Sequence, residues 1–252
     1  MDRVEAYTPD LSLKGKLRRR FVRLVERKPL AKGPARPMVS FTFTDAPATA
    51  VSAGAALLEE RGLKGVFYIA AGLAGREGPM GRYATREETQ RLATAGHEIA
   101  CHTYSHLDCG PGGEARIAAD LDRNLAALTE WGLPAPTNFA YPFGDVSADA
   151  KRVLGRRFDS ARALHHGVIE AGSDLNQTPA VGIQGSEGEA LARRWLKVAK
   201  DRKAWLILYT HDVEPAPSEW GCTADALGRI IDESLADGFE VVSVAEGLRR
   251  TA

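Results

Sequence analysis

An α/β fold is predicted: a (β/α) barrel, closed or incomplete, of about seven or eight units. Three observations predict it. From Met38 onward, short apolar β-prone runs alternate with segments of helical period, the pattern of parallel strands joined by helical crossovers. Several helical segments stop at a glycine (Gly62, Gly132, Gly238), the residue that most easily takes the left-handed turn closing a helix. The aspartate and histidines best suited to chemistry stand where strands end, which is where parallel α/β folds place their sites. A chain of 252 residues, 44% of them apolar, suffices for one such domain with a sizeable core.

The elements follow in order. Residues 38–43 are apolar and β-prone, 48–61 are helical, and 65–70 form a second strand. A helix over 85–95 opens with Thr85 and Glu88 at capping-box spacing. A strand over 97–101 follows, then a helix over 114–131 with Ile117, Leu121, Leu125 and Leu128 on one face. Residues 138–141, 158–161 and 180–183 read as short strands, with helices over 147–156 and 188–202. The run 204–209 is a buried strand, 223–237 a helix, and 239–244 the last strand. Neither an internal repeat nor a low-complexity segment interrupts this series.

Before Met38 the pattern differs. Leu13, Leu17, Phe21, Leu24 and Val25 recur at helical spacing among Lys14, Lys16, Arg18, Arg19, Arg20, Arg23 and Arg27. This basic amphipathic helix either packs its apolar stripe on the barrel or lies, through residues 12–28, on an anionic membrane surface. Residues 32–37, with Gly33, Pro34 and Pro37, read as a connector, so the expected division is an extension over 1–36 and a barrel over 37–252. Formal charge sums to zero over the chain, yet residues 10–36 carry a net charge of about +8 and the remainder is correspondingly acidic. No nucleic-acid partner is expected from this balance. Residues 1–13 lack an apolar stretch of the signal-peptide kind, and nothing approaches the ~18 apolar residues of a membrane span, so a cytoplasmic protein is expected. Cys101, Cys109 and Cys222 fit free thiols, with a Cys101–Cys109 bridge as the alternative in an oxidising compartment.

The chemistry concentrates in Cys101-His102-Thr103-Tyr104-Ser105-His106. Two histidines four apart, just past a strand, can present both imidazoles to one ion. Asp45, at the end of the first strand, supplies a carboxylate, and the three make a ligand set with positions left open for water and substrate. His211 ends another strand and is a candidate proton donor or, alternatively, a polar cap on it.

These motifs resemble those of the polysaccharide deacetylases, the NodB-homology carbohydrate esterases. The stretches that carry the resemblance are Thr42-Phe43-Thr44-Asp45, His102-Thr103-Tyr104-Ser105-His106, Phe139-Ala140-Tyr141-Pro142-Phe143-Gly144 and Leu206-Ile207-Leu208-Tyr209-Thr210-His211-Asp212, over roughly residues 38–248. The resemblance implies the distorted seven-stranded barrel. It implies a divalent metal, zinc first and cobalt, nickel or manganese as alternatives, on Asp45, His102 and His106. It implies His211 as general acid, the backbone N–H of Phe143 as oxyanion donor, and Tyr141, Pro142, Leu208 and Asp212 as substrate contacts. An N-acetylated sugar or glycan is the implied substrate. Tyr209, Trp205 and Trp220 are candidate sugar platforms, with Trp205 read first as core.

The sequence departs from the family at the position that matters most. Where the family has its catalytic base, an aspartate, this chain has Thr44. A hydroxyl cannot take a proton from water at neutral pH. The family's mid-chain arginine aligns with Ala140 and its tyrosine with Phe143, and only Asp159 and Asp174 offer loose matches to its late carboxylate. Two functions therefore stand side by side: a metal-dependent hydrolase removing N-acetyl or O-acetyl groups, impaired by Thr44, or a degenerate relative that binds metal and glycan. A membrane adaptor acting through the basic helix is a third, which leaves the metal-type residues unexplained.

Overall fold

The structure, a computed structural model, describes residues 21–111 and 113–251. Seven parallel strands run side by side in a curled sheet: β7 (Ser160–Arg162), β6 (Asn138–Ala140), β5 (Glu98–Cys101), β2 (Val66–Ile69), β1 (Met38–Thr44), β9 (Trp205–Thr210) and β8 (Val181–Gly182). A short β10 (Glu240–Val241) pairs with the first residues of β1, below the point where β2 begins. Among the described residues β7 and β8, the two ends of the sheet, do not pair with each other; a bridge joins Arg162 to Thr178, ahead of β8, so the barrel is incomplete. A two-stranded hairpin, β3 (Glu77–Gly78) and β4 (Gly81–Arg82), stands apart from the sheet.

The crossovers are helical. A π-turn at Ala50–Gly54 runs into α1 (Ala55–Glu59), followed by α2 (Arg86–Thr94), α3 (Glu114–Glu130), α4 (Ala148–Gly155), α5 (Gly188–Arg202) and α6 (Ala224–Ala236). Their starts are fixed by side chains. Thr85 and Glu88 form a reciprocal capping box on α2, and Ser147 and Thr223 cap α4 and α6. Strand alternation sorts the core into two layers. Val39, Phe41, Phe43, Leu206 and Leu208 face the helices, among Leu58, Leu92, Leu196 and Ile230. Met38, Tyr68, Ala140, Ile207 and Tyr209 face the barrel interior.

One expectation is corrected. The last strand is not 239–244: after two paired residues, Ser243 caps a helix, α7 (Val244–Arg250), by accepting from the backbone of Glu246. On α3 Leu125 packs half-buried on the same core as Ile117 and Leu121, as expected, and Asn124 beside it is fully buried. Asn124 belongs inside because its amide bonds the carbonyl of Ile69 at 3.0 Å and the N–H of Ala71 at 2.9 Å, closing the end of β2. Trp205 is wholly buried with its indole N–H on Ser40 Oγ at 2.9 Å, so it is no sugar platform.

Most of the basic helix expected before Met38 lies outside the described residues. The described part straps onto the barrel. Val22 and Leu30 are buried, Lys28 N donates to Asp174 Oδ1 at 2.9 Å, and Lys151 Nζ reaches both Val22 O and Asp174. Phe21 and Leu24, by contrast, are exposed. The three cysteines are unbridged and buried. Among the described residues no helix is long and apolar enough to cross a membrane.

Candidate active site

At the C-terminal ends of the strands lies a cavity of about 180 Å³, lined by Thr44 at the end of β1 and Asp45 after it, His102 and His106 after β5, Tyr141 and Phe143 after β6, and Tyr209 near the end of β9 and His211 after it. Met80 and Tyr83 from the hairpin region, with Gln184 and Trp220, complete its walls.

The backbone here is bent at a cost. Asp45, Ala46, Thr103, His106 and Phe143 all have positive φ without being glycine, and only Glu26 and Lys203 share that property elsewhere among the described residues. Such residues are strained by about 1–3 kcal/mol each and persist only where surroundings over-determine them. For the histidine loop the surroundings are visible. Asp120 on α3 accepts from the backbone N–H groups of Tyr104 at 2.8 Å and Ser105 at 3.0 Å, and from Ser105 Oγ. Thr103 Oγ accepts from Leu107 N at 2.7 Å. This network turns the chain sharply enough to bring His106 back beside His102.

Asp45, His102 and His106 offer ligand atoms that all lie within 4.8 Å of one another. The Nε2 atoms of both histidines stand 3.3 Å from Asp45 Oδ1. Yet Oδ1 and the His102 Nε2 are buried and hydrogen-bonded to nothing. Buried polar atoms left unpaired cost too much to be idle. His102 Nδ1 lies 2.8 Å from Ala140 O, which can only accept; the proton is therefore on Nδ1, and Nε2 presents a lone pair. A carboxylate oxygen and a lone-pair imidazole aimed at one point, with a second imidazole beside them, fit a divalent cation. Burial pushes the Asp45 carboxyl up, but His106, His102 and His211 outweigh it and hold the group well below the usual carboxylate range. Burial depresses His106 to about 4 against the pull of Asp45, so its ring is neutral near pH 7.

His211 lies across the cavity. Its Nδ1 donates to Trp220 O at 3.1 Å, leaving Nε2 free to exchange a proton, and burial lowers its pKa. The Phe143 ring stacks edge-on against His106 with centroids 4.4 Å apart. Tyr141 lines the cavity but its hydroxyl is spent on Asn176 O at 2.9 Å. Pro142 is buried in the turn behind it.

Two expected substrate contacts are placed elsewhere. Leu208 is on the helix-facing side of β9, wholly buried, because alternation turns Tyr209 inward and Leu208 outward. Asp212 is also wholly buried, and both its oxygens bond Ser218, pinning the loop after β9. Asp159 and Asp174 are not among the lining residues; Asp174 is held by Lys151.

One residue of the site carries no signal of its own in the sequence. Arg162, at the end of β7 and in register with Ala140, is 1% exposed and donates from Nη2 to Thr44 Oγ1 at 2.6 Å. A cation from β7, four places from β1 in the sheet, thus reaches across the barrel to the position where the resemblance places a base.

The family model described as polysaccharide deacetylase matches residues 31–156, half of the 252-residue chain. The chain belongs to the polysaccharide deacetylase family. Solved structures share its fold. A Mycobacterium smegmatis protein assigned as a polysaccharide deacetylase is 20% identical, covering 89% of this chain and 94% of its own, with a TM-score of 0.71. A family 4 acetyl xylan esterase from Clostridium thermocellum, in complex with cobalt, is 21% identical over 84% of this chain and 90% of its own, at 0.59. A mutant of a CE4-family pseudoenzyme with restored enzymatic activity is 16% identical over 88% and 71%, also at 0.59. No curated protein matches the chain. Membership in this hydrolase family and the incomplete barrel agree with the motifs read above.

Proposed function

We propose that this deacetylase-family protein is a metal-dependent hydrolase that removes acetyl groups, from nitrogen or oxygen, on a sugar or polysaccharide, and that Thr44 slows it. The observation that carries the reading is the pair of orphaned ligand atoms, Asp45 Oδ1 and His102 Nε2, converging with His106 at the cavity floor. A divalent ion held there by Asp45, His102 and His106 supplies Lewis acidity towards an acyl oxygen and acidifies water. The cobalt in the C. thermocellum esterase supports a divalent ion of this class. Zinc suits a carboxylate with two imidazoles best.

The remaining work falls to the chain itself. The cavity is below the roughly 300–1,000 Å³ of whole-ligand pockets, so it takes the acyl arm of one unit and leaves a longer chain outside. Trp220 and Tyr209 supply apolar wall for a sugar face. The N–H of Phe143 is the donor assigned to the developing oxyanion. His211, neutral at rest with Nε2 free, accepts a proton during attack and returns it to the departing amine or alcohol. Thr44 contributes no proton acceptance, because a hydroxyl is too weak a base to take a proton from water at neutral pH.

Acetate release from N-acetylated and O-acetylated glycans, measured with zinc-loaded protein and with His106→Ala, tests this. Metal-dependent release that His106→Ala abolishes is the expected result. Bound metal with no release from either class would leave the metal- and glycan-binding reading in its place.

A further inference from the structure

Arg162 is a buried cation with no counter-charge beside it among the described residues. Its guanidinium is wholly buried, stacked between the rings of Tyr68 at 4.8 Å and Tyr209 at 5.0 Å. Among the described residues its one well-formed hydrogen bond is to Thr44 Oγ1; Nε and Nη1 have no partner in good geometry, although the Tyr68 hydroxyl, itself otherwise unpartnered, lies close enough to feel the guanidinium. Among the described residues no carboxylate lies within 4.0 Å of it. Two aromatic faces offset part of the lost hydration of a cation, but a buried charge without a counter-charge remains costly. Lys151, the other wholly buried cation, has Asp174 at 2.6 Å.

The bond to Thr44 decides where a counter-charge can go. A hydroxyl has two lone pairs and one proton. One lone pair takes the Arg162 N–H, so the proton is left to donate, and Thr44 lines the cavity. Position 44 is thus a hydroxyl donor backed by a full positive charge, opening a short way from the Asp45 ligand oxygen. A group seated there must accept a hydrogen bond and is favoured if it carries negative charge. It must also be small, since Asp45, His211 and Tyr209 share the same cavity.

We propose that Thr44 and Arg162 form a carboxylate-binding site opening on the metal cavity, and that the acetylated saccharide this protein takes carries that carboxylate. The second half rests on the function proposed above; the first does not. A carboxylate bound to Thr44 neutralises Arg162 and fixes an acidic sugar unit beside the ligands of the metal. Neutral acetylated sugars leave the guanidinium uncompensated and bind more weakly.

Formate is the probe for the site. It is titrated by calorimetry into zinc-loaded full-length protein at fixed pH and ionic strength, with formamide as the neutral isostere. Formate binds, Thr44→Ser retains it, and Thr44→Val and Arg162→Gln each lose at least tenfold in affinity. Thr44→Asp also loses it, because its own carboxylate takes the guanidinium. Formate affinity unchanged in Thr44→Val would mean that the anion sits on the metal alone, and formamide competing equally would mean that charge is irrelevant; either overturns the site. Should Arg162→Gln fail to fold, the contrast between Thr44→Ser and Thr44→Val still decides. The second arm compares an acetylated saccharide bearing a uronic acid with its carboxyl-reduced form. At least tenfold preference for the acid, lost in Thr44→Val, is expected. Equal binding of the two overturns the substrate assignment while leaving the formate site intact. Binding of formate with no saccharide bound overturns that assignment too, and with it the deacetylase reading.

Discussion

Strand β5 has a histidine at each end, and the two are held in opposite ways. His97, just before the strand, is fully used. Gly65 N donates to its Nδ1 at 2.9 Å, its Nε2 meets Glu59 Oε1 at 2.9 Å, and Phe67 packs edge-on at 5.3 Å. His102, just after the strand, has one nitrogen tied to Ala140 and the other bonded to nothing. Around His97 the only positive φ belongs to a glycine, Gly96, whereas around His102 non-glycine residues are forced there. Burial alone does not distinguish the two rings, since both are almost inaccessible. The distinction is satisfaction: the lower end of the barrel spends its polar atoms on holding the fold, and the upper end keeps them aimed at a ligand.

The largest effect that can break this comparison is loss of a ligand. His106→Ala and Asp45→Asn each should lower zinc affinity by more than the ~100-fold upper range seen for outer partners, while unfolding midpoints without metal stay close to the parent. Elemental analysis and competitive chelator titration measure the first, denaturant melts the second. Unchanged zinc titration in both variants would remove the metal site altogether.

Next in size is the base position. Thr44→Asp puts a carboxylate beside the cavity with Arg162 already in place as its partner. On a neutral acetylated sugar, turnover should rise roughly 10²-fold, the scale of a positioned general base, with little change in KM. The gain should vanish in the double variant with His211→Ala, because the leaving group still needs a proton. The new charge also adjoins Asp45, and like-charge repulsion opposes its ionisation. If the parent is already fast and the aspartate adds nothing, another residue is the base. Smaller again is Asp120→Ala, which touches no ligand but frees the loop carrying His106. Zinc affinity should fall about 10-fold, with the loss seen as faster metal dissociation.

These sites were legible in the sequence to unequal degrees, for physical reasons. The alternation of elements and the caps at Thr85, Ser147 and Thr223 are local signals, readable from spacing alone. Asp45, His102 and His211 are legible because each directly follows a strand, and His106 because it stands four residues past His102. Arg162 could not be found, since what matters is its register with Ala140 across the sheet and its reach to a strand over a hundred residues earlier. Asp120 and Asn124 look like polar gaps in an apolar stripe until the chain folds over them. Leu208 is a substrate contact by resemblance only, and the period of two along β9 points it the other way, towards the helices. Helix α7 was missed although Ser243 and Glu246 stand at capping distance.

The smallest effects belong to the lower histidine and sharpen the contrast by leaving function alone. His97→Ala should orphan the Gly65 N–H and cost about 1–3 kcal/mol from that group, read as a lower denaturant midpoint, with zinc content unchanged. The pH dependence follows from the same bonds. Gly65 donates to Nδ1, so the native ring is neutral with its proton on Nε2 towards Glu59. Burial pulls the His97 pKa below its ordinary 6.5, against the opposing pull of Glu59. As pH falls below 6.5 the unfolded chain takes up a proton that the folded one refuses, so stability is full above 6.5 and declines with acidification towards the folded value. Glu59, held below its ordinary 4.5 by His97, adds a loss in the same direction in a lower window. Subtracting the stability curve of His97→Gln from that of the parent isolates this from the other histidines. The difference should shrink steadily as pH drops from 7 towards 5. A difference that grows on acidification would mean that His97 is charged in the native state, and the contrast between the two ends of β5 would have to be drawn on other grounds.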